Sequence, residues 1–218
     1  MHRRSFIKVL GSFISILSFR INAETSTNQV SFNHGIASGD PTNTNVIIWS
    51  KLTANTKSSI NVNWELALDK SFNNIINRGS VLASKSKDHT IKKDVYVEDK
   101  YNGLPLFYRF NVGQIFSPVG QTLTLPVKNP PNFKIAFCSC SNYPAGFFNA
   151  YESIADDKSI DLVLHLGDYI YEYDENGYAT EDSKRLGRVV NPKHEIVTLK
   201  DYRLRHAQYK SDKQLKKL

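Results

Sequence analysis

Along residues 29–126 apolar side chains come in short bursts separated by turn-forming residues. The clearest burst is 60–66, where Ile60, Val62, Trp64 and Leu66 alternate with Asn61, Asn63 and Glu65. That two-residue period belongs to a strand with one buried face. Similar bursts at 46–49, 91–97, 106–112 and 122–125 are rich in branched and aromatic residues, and turn formers collect at 38–41, 68–71, 77–79 and 102–103. Strands at this spacing, without helical segments between them, predict an antiparallel β-sandwich of about seven strands over 29–126. No cysteine lies in this region. A disulfide-linked immunoglobulin domain is therefore excluded, and a fibronectin III-like sandwich is expected.

The texture changes after 126–132, a linker carrying Pro126, Pro130 and Pro131, since paired prolines cannot join a central strand. Residues 133–138 read as a strand, 146–157 as a helix and 161–166 as a second strand, with continuous apolar runs. This β-α-β order predicts a parallel sheet buried on both faces. The mixed architecture is thus an antiparallel sandwich followed by the start of an α/β domain over 132–218. Residues 173–197 have no period and are rich in Glu, Asp, Lys, Asn and Gly, and loops of that length are often functional. Thr198 with Asp201 opens a helix as a capping box. No Gly or Pro stops that helix, which is expected to run to the chain end as an element cut short.

Composition and charge alter this picture at the two ends. The 218-residue chain carries a formal charge of +7. Residues 1–23 supply +4 and 200–218 supply +5, which leaves −2 for 24–199. A basic head and a basic final helix do not form a groove-reading surface, so nucleic-acid binding is excluded as a primary role. The head itself, with Arg3 and Arg4 before an apolar run from Val9 to Phe19 and then Ala23, reads as a signal peptide over 1–23. The run is too short for a stable membrane span. Arg3-Arg4-Ser5-Phe6-Ile7-Lys8 resembles the twin-arginine signal, with His2 where Ser or Thr is commoner. The expected location is therefore periplasmic or secreted, reached through the twin-arginine export machinery.

Cys138 and Cys140 are the two cysteines. One intervening residue in an extended chain makes a bridge between them strained, so they ask for another explanation. In parallel α/β sheets, ligands bind beyond the carboxyl ends of the strands. The first strand of the second segment leads to Cys140 and the second to Asp168, with Tyr171 three residues on. A hard trivalent cation such as Fe(III) favours deprotonated Asp and Tyr oxygens and also holds a thiolate. The plainer alternative is a solvated acidic loop, and it covers Glu172, Asp174 and Glu175. Cys138 reads as a core residue, His165 as a satisfied core histidine or one that supports a metal ligand from behind, Tyr169 and Tyr173 as packing residues, and His194 and His206 as isolated. Arg203 and Arg205 are weak candidates for contacting a substrate phosphate, with structural pairing as the preferred role.

Several stretches resemble the PhoD-type alkaline phosphatases and phosphodiesterases of the metallophosphoesterase superfamily. They are Ser139-Cys140-Ser141-Asn142-Tyr143, Gly146-Phe147-Phe148-Asn149-Ala150-Tyr151 and Leu164-His165-Leu166-Gly167-Asp168-Tyr169-Ile170-Tyr171-Glu172. His34-Gly35-Ile36-Ala37-Ser38-Gly39-Asp40-Pro41, Val46-Ile47-Ile48-Trp49, Tyr108-Arg109-Phe110 and Thr198-Leu199-Lys200-Asp201-Tyr202-Arg203 extend the resemblance in order. It implies an exported phosphoesterase acting on phosphate mono- or diesters, with an N-terminal sandwich and a metallophosphatase domain. By position, Cys140, Asp168 and Tyr171 would be metal ligands. Asp168 would bridge Fe(III) and a second metal, Ca(II), with Cys140 and Tyr171 on the iron. The family's remaining Asp, Asn and His ligands have no counterpart between 172 and 218. Three ligands are too few for two metals, so this chain alone is expected to bind metal weakly and to lack appreciable phosphatase activity. The alternative from a different class is a non-catalytic exported β-sandwich binding module.

Overall fold

The computed structural model describes residues 30–218; the expected signal segment, 1–23, lies outside the described residues. Ten strands precede residue 126: β1 (Val30–Ser31), β2 (Ile36–Gly39), β3 (Asn45–Lys51), β4 (Thr53–Ala54), β5 (Ile60–Ala67), β6 (Ile75–Ala83), β7 (Thr90–Tyr96), β8 (Leu106–Val112), β9 (Ile115–Phe116) and β10 (Gly120–Thr122). They form one five-stranded sheet in the order β10-β8-β5-β6 with β9 on β8, a three-stranded sheet β2-β3-β7 and the short pair β1-β4. Every pairing among them is antiparallel.

Alternation along the chain becomes a shared core. Val62, Trp64 and Leu66 of β5 join Leu106, Tyr108 and Phe110 of β8, Val46 and Ile48 of β3, and Ile91 and Val95 of β7 in one buried cluster. Both larger sheets therefore bury their apolar faces in the same interior. Each such side chain contributes roughly 1.5–3 kcal/mol on burial. On the opposite face of β5 and β8, Arg109 donates from Nε to Glu65 at 2.7 Å, its guanidinium 4.0 Å from the Phe72 ring centre.

Three expected boundaries move. Residues 77–79 are no turn but the middle of β6, and Ser38 and Gly39 belong to β2. The strand expected at 122–125 ends at Thr122.

Beyond the prolines, β11 (Ile135–Cys138) and β12 (Leu162–His165) pair in parallel, with Cys138 opposite His165. Between them come a 3-10 turn (Tyr143–Ala145) and helix α1 (Asn149–Asp156). One face of the strand pair, carrying Cys138, meets an aromatic cluster of Phe148, Tyr151 and Tyr209. The other face is bare: Ile135, Phe137 and Leu164 are exposed. The expectation of a sheet buried on both faces is corrected here, because among the described residues no element covers the Ile135–Phe137 side.

Helix α2 (Leu199–Ser211) opens on the expected capping box, with Asp201 N donating to Thr198 Oγ1 and Thr198 N to Asp201 Oδ2. It does not run to the chain end. Asp212 leaves the helical conformation and pairs with Arg188 at 2.7 Å, both side chains nearly buried. A 3-10 turn (Leu215–Lys217) follows. The irregular stretch before α2 is held in place by this pair and by burial of Val190 and Ile196.

Helix α2 also packs on the β-sheet half. The His206 ring stands edge-on to Trp49, Lys210 Nζ lies 5.5 Å over the Trp49 ring, and Arg203 donates to the Ser86 carbonyl at 2.6 Å. Among the described residues no helix is long and apolar enough to cross a membrane.

Candidate metal centre

The parallel pairing of β11 and β12 continues past the strands into the two turns that follow. Leu166 N donates to Cys138 O at 2.8 Å, Cys140 N to Gly167 O at 3.2 Å and Ser141 N to Asp168 O at 2.9 Å. These bonds draw the Cys140 turn and the Asp168 turn together at the carboxyl edge of the sheet. Gly167 adopts φ 120°, while Cys140 and Asp168 stand in the left-handed region at φ 59° and 51°. For residues with a Cβ that conformation costs about 1–2 kcal/mol each, and such residues gather at functional sites.

The result is an acidic triad. Cys140 Sγ is 3.7 Å from Asp168 Oδ2, and the Tyr171 phenol lies near enough for both to act on its pKa. The Tyr171 pKa is pushed well up, first by burial and then by its contacts with Cys140 and Asp168. The groups pressing hardest on this phenol are therefore acids, and a multivalent cation would reverse that balance. Thiol, carboxyl and phenol fit a hard trivalent ion as donors. They do not suffice for two ions. Among the described residues no group of three or more His, Cys, Asp or Glu side chains converges.

Behind the triad His165 ties the two turns to each other. Its Nε2 lies 2.8 Å from Ser141 Oγ and 2.9 Å from Tyr151 Oη, and Gly167 N donates to its Nδ1 at 3.4 Å. A ring that accepts at Nδ1 carries its proton on Nε2. Burial lowers the His165 pKa, with Asp168 opposing, which keeps the ring neutral. Ser141 and Tyr151, also in contact with each other, were not marked by sequence reasoning. Only their place inside motif stretches pointed to them.

Cys138 stays a packing residue, its thiol 3.7 Å from the Leu164 carbonyl and its pKa raised by burial. Both cysteines are free. Arg205 takes the structural pairing expected as its preferred role. It is fully buried, and its guanidinium donates to the main-chain carbonyls of Tyr171, Tyr173, Asn191 and Pro192. Arg203 faces the β-sheet half through Ser86. Glu175 pairs with Lys193, and Glu172 accepts from Tyr202. A cleft of about 450 Å³ near Tyr108, Lys158 and Lys216 contains none of the triad.

Comparison with known proteins finds two family models on successive parts of the chain. A family model described as PhoD-like phosphatase, N-terminal domain, matches residues 18–126, and one described as PhoD-like phosphatase matches 135–218. Alkaline phosphatase D of Bacillus subtilis (strain 168) is 38% identical over 234 residues, covering 98% of this chain and 39% of that protein. A solved structure of PhoD superposes with a TM-score of 0.79 at 40% identity, over 86% of this chain and 36% of that one. The chain thus spans well under half the length of these relatives.

Proposed function

The chain belongs to the PhoD-like phosphatase family, and from that premise we propose that it is part of an exported, metal-dependent phosphoesterase. The substrate class is phosphate mono- or diesters. The observation that carries this reading is the convergence of Cys140, Asp168 and Tyr171 where the two parallel strands end. In this reading Cys140, Asp168 and Tyr171 would hold Fe(III), and Ca(II) would be the second ion. When bound, such ions neutralise phosphoryl oxygens and lower the pKa of water. The residues of this chain supply the rest: His165 fixes the spacing of the two turns, and the left-handed backbone at Cys140 and Asp168 aims both side chains across the sheet edge.

Residues 29–126 act in this proposal as a fibronectin III-like sandwich and 132–218 as the first part of the metallophosphatase domain. Export runs through the twin-arginine machinery to the periplasm or beyond. The chain by itself, with three donors, does not assemble a working two-metal site.

The test is spectroscopic and uses the full-length protein containing this chain. Iron-loaded wild type is expected to show a visible tyrosinate-to-iron charge-transfer band, and Tyr171→Phe to abolish it. A band that survives the substitution removes Tyr171 from the ligand set. No iron uptake by the wild type overturns the metal reading.

A further inference from the structure

Tyr171 is one of three tyrosines in mutual contact. Its ring centre lies 6.0 Å from that of Tyr173, with planes 21° apart, and 6.2 Å from that of Tyr178, while Tyr173 and Tyr178 are 6.0 Å apart. The inner member is the tyrosine whose pKa Cys140 and Asp168 raise. Among the described residues the outer two are 48% and 62% exposed. Together they line, with Asn142, Asp174 and Thr180, a recess too shallow to hold a water, so it is the outer ring faces that are open to a partner.

The backbone beneath these rings is fixed. Buried Arg205 donates to the carbonyls of Tyr171 and, at 3.1 Å, Tyr173, while Asn142, two residues after Cys140, donates to Tyr178 O at 3.2 Å. Rings on a pinned main chain form a binding surface with little ordering cost. Tyrosine is well suited to this because it presents a large face with few rotatable bonds. Charge narrows the occupant: Asp174 lies beside the rings and is exposed, so a second anionic group is repelled and an uncharged ring is not.

We propose that Tyr173 and Tyr178, with the ring of Tyr171, form a stacking subsite for an uncharged aromatic ring carried on the phosphoester. This rests on the phosphoesterase reading above and adds a substrate class to it. A phosphoryl group held near Asp168 and Tyr171 brings its ester substituent to the outer two rings, where offset or edge-to-face stacking is available. Small alkyl esters reach no comparable surface.

Phenylphosphonate and methylphosphonate share a headgroup and differ in the ring, so their inhibition constants isolate the subsite. In the metal-loaded full-length protein phenylphosphonate is expected to inhibit about tenfold more strongly, the size of one stacked ring. The ratio should fall to near unity in Tyr173→Ala/Tyr178→Ala and persist in Tyr173→Phe/Tyr178→Phe, which keeps both rings and controls for folding. A ratio near unity in wild type, or one unchanged in the alanine variant, overturns the subsite while leaving phosphoester hydrolysis intact. If the wild type hydrolyses no phosphoester and binds neither phosphonate, the phosphoesterase reading fails and the subsite with it.

Discussion

At Gly79 the backbone of β6 passes directly opposite Trp64 of β5, and a Cβ there would stand 2.8 Å from Trp64 Cζ2 and 3.1 Å from Cε2. The indole is nearly buried, so it has no room to swing clear. Gly79→Ala is therefore expected to destabilise the β-sheet half by about 1–3 kcal/mol, the usual cost of overpacking; a urea midpoint equal to wild type would remove this explanation for the glycine. The same residue shows why sequence reasoning misplaced a turn. Asn77-Arg78-Gly79 has turn composition, yet the glycine answers to a ring on the neighbouring strand, information absent from any local window. The meeting of the Cys140 and Asp168 turns was legible because both follow strand ends, where parallel sheets gather side chains. For Arg205 a structural role was legible but its partners were not, since nothing local marks the main-chain carbonyls that gather around its guanidinium. His165 was legible as a buried histidine but not as the link between two turns.

Among elements, helix α2 shows the same division. Its start is encoded in four residues: Thr198 and Asp201 cap each other, and the hydrogen bonds from Thr198 hold the Asp201 pKa near 2. Thr198→Ala is expected to cost about 1 kcal/mol and to speed amide exchange in the first turn, where Tyr202 N bonds Thr198 O. Unchanged exchange at Tyr202 would mean that packing alone holds the helix start. The helix end was illegible for a long-range reason. Asp212 stops the helix by pairing with Arg188, twenty-four positions earlier in the chain, and no glycine or proline marks it. The strand pair β11–β12 was legible as parallel from the βαβ order, but not its bare face, because apolar runs record what a strand can bury and not what is present to cover it.

At the scale of the whole molecule the two halves meet across a seam that is short of negative charge. His34, in the loop between β1 and β2, sits among Lys51, His206 and Lys216, with Asp88 as the opposing carboxylate, itself paired to Lys51. Burial first, and then Lys51, depress the His34 pKa to about 4; burial also lowers that of His206, with Lys210 and Lys51 adding to the effect. A histidine with a depressed folded pKa is neutral in both states at high pH. As pH falls through about 6.5 the unfolded chain takes up a proton that the folded chain refuses, so stability drains away until the folded site titrates near 4. Below that point both states are protonated and the penalty stops growing. Since His34 is only partly buried, solvent screening reduces the loss to the order of 1 kcal/mol. Urea midpoints of wild type and His34→Gln, compared at pH 7.5 and pH 5, isolate this contribution, because glutamine keeps a polar side chain and cannot titrate. Wild type should lose more stability than the variant on acidification, and the gap should level off below about pH 4. Equal losses would show that the seam tolerates a third positive charge beside Lys51 and Lys216, and that His34 is not held neutral by it.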